Sequence, residues 1–249
     1  MKEAKANPQN FWNIRSKSFP GHREGDTYQK TMLELALSHP VDFKGKEVID
    51  LGCGAGAYTL RLARLARQVT ALDISPGMLG RVREQAEEQR LTNITCICKD
   101  WMDYPRENRF DIAFCSLTPA LSSEEAFDKL CEQISSEKIY IGFAGPMQAH
   151  VLEGLFALYD KRWGSNSKFD PVIHKWLKKH NITHTIYRHQ GEWLTERNHK
   201  EMVDNCVDVL TASGLEPDIK QIEDYIERFR KEDDLYISCT DYDVEMVIF

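Results

Sequence analysis

No run of eighteen apolar residues occurs in the 249-residue chain, so a hydrophobic membrane-spanning helix is not expected. The opening MKEAKANPQNFW has no apolar stretch of the kind a secretory leader carries, so no signal segment is expected either. There is no CxxC pair. Seven cysteines are scattered, and the two nearest, Cys96 and Cys98, sit in a β-like run that puts both on one strand face. Thiols in a reducing, cytoplasmic setting are expected rather than disulfides or a metal site. There is no basic excess: 32 Lys and Arg face 39 Asp and Glu, a net charge of −7. That balance argues against a large nucleic-acid footprint. The densest basic stretch, KWLKKH (175–180), reads as the wet face of a helix. No internal repeat, low-complexity tract or long linker breaks the chain.

What is present is ordinary for a globular protein: 42% hydrophobic and 29% charged residues. The N-terminal NPQNFWNIRSKSF suits a helix with Trp12, Arg15 and Phe19 near one face. PGHREGD reads as a loop, and TYQKTMLELALSH as an amphipathic helix. From Gly45 strands and helices alternate: EVIDL, helix 57–67, VTALD, helix 76–90, ITCIC, FDIAFC, helix 123–134, KIYIGFA. Pro76 suits a first helical turn, and Ser122 or Ser123 a cap with Glu125 behind it. The alternation predicts an α/β fold, a doubly wound parallel sheet with helices on both faces. After 145 the order breaks. Helices are expected over 147–163, 170–180, 195–213 and 217–231, with strands at ITHTIYR (182–188), LYISC and VEMVIF. The last strands are expected to complete the sheet, with the helices of 146–180 and the N-terminal segment as a cap over its carboxyl edge, where open α/β sheets bind ligands.

EVIDLGCGAGAYTL (47–60) raises the functional question. Gly52, Gly54 and Ala57 satisfy a dinucleotide fingerprint, with Asp73 about twenty residues on as its ribose acid. A site for S-adenosylmethionine fits the same glycines. Asp50 separates the two readings. Two charges 4 Å apart interact by about 4 kcal/mol at an effective dielectric near 20. A carboxylate there opposes a pyrophosphate and favours an ammonium or sulfonium. The plain alternative is a tight strand-to-helix turn capped by Asp50. Further candidates stand at each strand end. Asp73 can accept both ribose hydroxyls, or cap a helix, although Ser75 before Pro76 is the better cap. Ile74 and Met78 are placed to pack on the adenine, with ordinary core as the competing role for Met78. Asp100 can accept the adenine amino group, and Trp101 offers an apolar face to the ring. Ser116 is placed to face the reacting methyl.

EVIDLGCGAGAYTL, LDISPGML, KDW and FDIAFCSLTPAL, in this order and spacing, resemble the class I S-adenosylmethionine-dependent methyltransferases of the small-molecule type. The resemblance covers residues 45–145. It implies a Rossmann-like seven-stranded sheet with a reversed C-terminal hairpin. It also implies that Asp50, Gly52, Cys53 and Gly54 hold the methionine part, Asp73 the ribose, and Asp100 and Trp101 the adenine. FWNIRSKSF resembles a W-x-x-R lid segment, which would set Trp12 and Arg15 over the cofactor; a packed surface helix is the other reading. The implied organisation is one domain: lid helices 1–39, a cofactor-binding half 45–145, a cap insertion 146–195 and a sheet-completing segment 196–249. After Gly145 the chain departs from the family pattern, so the resemblance does not give the substrate.

The expected reaction is methyl transfer to a small-molecule acceptor by direct displacement, leaving S-adenosylhomocysteine. A base is needed only for a protonated nucleophile. His22, Tyr28, His150, Tyr187 and His189 are candidates, none privileged, so no catalytic base is assigned. His180 and His184 have a helical metal spacing, but Asn181-Ile182-Thr183 breaks the helix between them, and no metal is expected. Trp163, Trp176, Trp193, Tyr159 and Tyr187, with nearby basic residues, suit an aromatic or partly anionic acceptor, or simply pack the cap. The alternatives are a NAD-dependent oxidoreductase and a non-catalytic cofactor-binding protein. A nucleic-acid methyltransferase is a lesser variant, because SLTP stands where an N/D-P-P-Y/F motif would be.

Overall fold

The computed structural model describes residues 7–19, 27–164 and 172–249. In chain order the elements are α1 (Pro8–Arg15), α2 (Thr27–Ser38), β1 (Glu47–Leu51), α3 (Thr59–Ala63), β2 (Gln68–Asp73), α4 (Pro76–Glu88), β3 (Ile94–Cys98), β4 (Ile112–Ser116), α5 (Glu124–Gln133), β5 (Lys138–Phe143), β6 (Gln148–Ala149), α6 (His150–Ala157), α7 (Val172–His180), β7 (Thr185–Arg197), α8 (His199–Ala212), α9 (Ile219–Ile226), β8 (Arg230–Glu232) and β9 (Leu235–Ile248). The described residues form two compact units. One holds 27–144, 172–189 and 244–249; the other holds 7–19, 145–164 and 190–243.

The first unit is the expected α/β sheet. Its strands run in the order β3-β2-β1-β4-β5, all parallel, and residues 244–248 of β9 lie antiparallel to β5. β1 and β4 are near-continuous apolar runs with almost every residue buried, as strands covered on both faces must be. The chain proceeds outward from β1 in one direction through β2 and β3, and in the other through β4 and β5. The switch point therefore falls between β1 and β4, where such sheets bind ligands beyond the strand ends. Ser75 caps α4 by accepting from Met78 N (3.2 Å), with Pro76 in the first turn. Ser123 caps α5 through Ala126 N (3.2 Å). The core gathers Ile49, Leu51, Ala113, Cys115, Phe127 and Trp176.

The second unit combines α1, α6, α8 and α9 with β6, β8, residues 190–197 of β7 and residues 235–243 of β9. Val151, Leu155, Met202, Val209, Ile222 and Tyr236 form its core. A capping box opens α8, with Asn198 accepting from Glu201 N and Glu201 accepting from Asn198 N.

Beyond 145 several boundaries differ from expectation. The strand expected at 182–188 runs instead from Thr185 to Arg197, alternating half-buried and exposed residues throughout. That period of two overrides the helical reading of 195–198, and α8 begins only after the Asn198 cap. LYISC and VEMVIF are one continuous strand, because β5, β6 and β8 each supply hydrogen-bonding partners along it. Segment 146–195, expected as one insertion, is shared between the units. α7 buries Ile173, Trp176 and Leu177 in the core of the first unit.

Candidate cofactor site

β1 delivers Asp50 opposite Ala71 of β2 and Phe114 of β4, then the chain turns over the end of β2. Gly52 N and Cys53 N both donate to Leu72 O, at 2.8 and 3.1 Å. Gly52 (φ +68°) and Gly54 (φ +52°) lie in the left-handed region that side chains resist. At Gly52 a second constraint applies: a Cβ would stand 1.9 Å from Thr118 Oγ1 and 2.6 Å from Thr118 Cβ. The loops after β1 and β4 thus touch at Gly52 and Thr118, at the switch point.

Two carboxylates stand at this loop. Asp50 is 2% exposed and accepts from Thr59 Oγ1 at 2.6 Å. Burial pushes its pKa up to about 7; the Thr59 hydrogen bond opposes the shift and the charge of Asp73 adds to it. Asp73, half-buried, accepts from Gly54 N (2.9 Å) on one oxygen and from Ser75 N (2.8 Å) on the other. Burial raises its pKa, against the pull of those backbone N–H groups. Two desolvated acids, with the charge of Asp73 adding to the cost of ionising Asp50, form a site that gains from a cation and loses with a pyrophosphate. α3, which a phosphate would need as its helix N-terminus, has only five residues.

The remaining candidates divide. Cys53 is buried, with its thiol directed at Gly54 O (3.6 Å) and its pKa held well up by burial. Ile74 is half-buried, whereas Met78 is 1% exposed and takes the core role. Asp100 is exposed and accepts from Met102 N (2.8 Å) in an Asx turn. Ser116, half-buried, ends β4 opposite Ile141. Trp101 corrects the expectation of an open face beside the adenine. It is 2% exposed, with its indole N–H on Ala126 O (3.1 Å) and its ring stacked on Tyr104. The reason is Lys129, fully buried, whose ammonium donates to the carbonyls of Trp101 (2.6 Å), Met102 (3.0 Å) and Tyr104 (2.5 Å). It also lies 4.8 Å from the Trp101 ring centroid. The loop after β3 is pulled inward onto α5, and the indole goes with it.

Trp12 and Arg15 belong to the second unit. Arg15 is 8% exposed and donates to Ser18 Oγ (3.2 Å), Asn205 O (3.3 Å) and Asn205 Oδ1 (3.1 Å). Burial lowers its pKa to about 10. Trp12 meets Phe11 and Phe19 edge to face. The packed-helix reading of this segment describes both side chains. The cap aromatics also pack. Trp176 stacks on Phe127, Trp193 on Tyr242, and Tyr187 meets His39 edge to face. Tyr159 accepts from Asp218 N, and Trp163 tilts on Phe156. Of the five possible bases, Tyr28 is buried with its ring edge toward His189, and His150 pairs with Asp241. His22 lies outside the described residues. Thr59, Leu117 and Thr118 are additions from the structure. Leu117 holds φ +49°, a strained conformation for a bulky residue, in the turn between Ser116 and Thr118. SLTP carried no signal for this beyond its place after a strand.

A parallel sheet in this order, with a glycine turn and two acids at its switch point, defines a Rossmann-like cofactor-binding protein. Residues 48–136 match the family described as a methyltransferase domain. Over 108 residues the chain is 32% identical to a ubiquinone biosynthesis O-methyltransferase of Coxiella burnetii, covering 43% of this chain and 44% of that protein. Over 156 residues it is 30% identical to a malonyl-[acyl-carrier protein] O-methyltransferase of Halorhodospira halophila, covering 59% and 49%. The chain thus spans about half the length of the curated relatives it matches. Among solved structures, an S-adenosylmethionine-dependent methyltransferase of Geobacter sulfurreducens, in complex with S-adenosyl-L-homocysteine, shares the fold. It aligns with a TM-score of 0.54 at 13% identity, over 98% of this chain and 99% of that one. Residues 48–136 thus carry the match to a methyltransferase domain, in a fold shared with an enzyme that takes S-adenosylmethionine as its methyl donor.

The residues present fit that donor. Gly52 offers a surface without a side chain, closed on one side by Thr118. Asp50 and Asp73 supply the negative charge a cationic ligand needs. No helix among the described residues is long and apolar enough to cross a membrane.

Proposed function

We propose that this protein transfers the methyl group of S-adenosylmethionine to a small-molecule acceptor in a reducing, cytoplasmic compartment. The observation that carries the reading is the pair of desolvated carboxylates, Asp50 and Asp73, on the glycine turn at the β1/β4 switch point. Asp50, with Gly52, Cys53 and Gly54, would hold the methionine part. The free lone pairs of Asp73 would take the ribose hydroxyls, and Ile74 and Asp100 would bound the adenine. Ser116 and Thr118 would line the methyl side. When bound, S-adenosylmethionine supplies a methyl group already activated by its sulfonium. The protein's part is then to align an acceptor atom within about 3–3.5 Å of it and to exclude water. Oxygen is the first acceptor atom to test, because two curated relatives are named as O-methyltransferases. No side chain is assigned as base. The seven cysteines, all free thiols, support the reducing compartment.

Calorimetric titration with S-adenosylmethionine, S-adenosylhomocysteine and NAD in parallel tests the proposal. Micromolar binding of the first two and none of NAD is expected. Binding of NAD alone would overturn it.

A further inference from the structure

The geometry points to a divalent transition-metal site in the second unit, built from His150, Cys239 and Asp241 with Glu192 beside them. One ligand atom from each of the first three lies within 4.8 Å of the others. His150 Nε2 is 2.9 Å from Asp241 Oδ2, and Cys239 Sγ is 3.8 Å from Asp241 Oδ1. The carboxylate of Glu192 lies close to the Cys239 thiol.

The backbone explains the convergence. Cys239 and Asp241 are two residues apart on β9, so they share a face. β6 pairs with β9 in the register Gln148↔Asp241 and Ala149↔Thr240, and the next residue is His150, the first of α6. β7 also pairs β9. Trp193 stacks on Tyr242, so Trp193 and Tyr242 occupy one face and Glu192 with Cys239 and Asp241 the other. β9 thus supplies two donors and the start of α6 a third at one spot, with Glu192 of β7 nearby.

Their chemistry selects the ion. A thiolate and an imidazole with one or two carboxylates disfavour Mg²⁺ and Ca²⁺, and suit Zn²⁺ or Co²⁺ in tetrahedral geometry. Metal–ligand lengths of about 2.0–2.3 Å imply ligand–ligand separations of roughly 3.3–3.6 Å. Two of the separations, 2.9 and 3.8 Å, bracket that range and the third, His150 to Cys239, is within 4.8 Å, so small side-chain rotations bring the three donors to one ion. On binding, the Cys239 thiol proton leaves to buffer as the Cys239 sulfur–metal bond forms. The His150 and Asp241 side chains are 45% and 41% exposed, so an ion can enter from solvent and substitutions there do not disturb the core.

The test is titration of the full chain with Co²⁺. Binding of one ion per chain is expected, with a thiolate-to-cobalt charge-transfer band in the near ultraviolet that Zn²⁺ abolishes by displacement. Cys239→Ser should remove the band. His150→Ala and Asp241→Asn should each weaken Co²⁺ tenfold or more, and Zn²⁺ should raise the melting temperature of the wild type but not of the His150→Ala/Cys239→Ser variant. Absence of the band in the wild type, or equal affinity in the double variant, would overturn the site.

Discussion

The Asp73 carboxylate accepts a hydrogen bond from Gly54 N at 2.9 Å, across nineteen residues of chain, and a second from Ser75 N at 2.8 Å. One side chain therefore fixes the glycine turn and the entry to α4 before any ligand arrives. Asp73→Ala removes both acceptors. A hydrogen bond to a charged group contributes about 1.5–3 kcal/mol, so affinity for S-adenosylhomocysteine should fall roughly 10- to 100-fold. The melting temperature should fall with it. Calorimetry beside thermal melting checks both, and unchanged affinity would remove Asp73 from the site.

Asp50 makes binding depend on pH. Its pKa of about 7 in the ligand-free protein exceeds that of an ordinary carboxyl, so the folded state keeps a proton that the unfolded chain has released. The cost to stability is absent below pH 4, grows between pH 4 and 7, and is complete above. A bound cation favours the ionised form, so binding releases a proton below pH 7. Affinity for S-adenosylmethionine should rise up to tenfold from pH 6 to 7 and flatten above. Asp50→Asn should abolish that slope, weaken binding and raise the melting temperature at pH 8 but not at pH 4.

Gly52 and Thr118 meet too closely for any side chain at 52. Gly52→Ala should destabilise the protein by about 1–3 kcal/mol from overpacking, plus about 1–2 kcal/mol for a left-handed residue with a Cβ. Adding Thr118→Gly removes the clash and leaves only the backbone cost. Thermal melts of the single and double variants check this; equal destabilisation would mean that Thr118 does not close on the turn.

Lys129 anchors the loop after β3 through three carbonyls. Lys129→Met leaves those carbonyls without their donor, and a loss of about 1–3 kcal/mol is expected, as for buried acceptors left unsatisfied. Hydrogen exchange should quicken at residues 101–104, and Trp101 fluorescence should shift to the red as the indole meets water. Native-like exchange in this loop would refute the anchoring.

Much of the sheet unit was legible because its signals are local. Alternating apolar runs and helices, Pro76 behind Ser75, and Ser123 before α5 depend on neighbours along the chain. So do the glycines of the turn, because a left-handed backbone is a property of the residue itself. The end of β7 and the continuity of β9 were not legible, since each depends on a partner strand far away in sequence. Trp101 illustrates the same limit. Beside Asp100 it resembles an adenine neighbour, yet a lysine 28 residues later decides that it is core.

The sequence by itself determined the fold class, the glycine turn and the placing of acids at the ends of β1 and β2, because residue type and short-range period carry that information. The tertiary structure alone decided what those acids experience. It buried Asp50 until its pKa approached 7 despite the Thr59 hydrogen bond, set one backbone N–H on each oxygen of Asp73, and placed Thr118 over Gly52. It also brought His150 to Cys239 and Asp241, some ninety residues away. Desolvation and long-range contact depend on which distant groups share a space, and that is settled only when the strands pair.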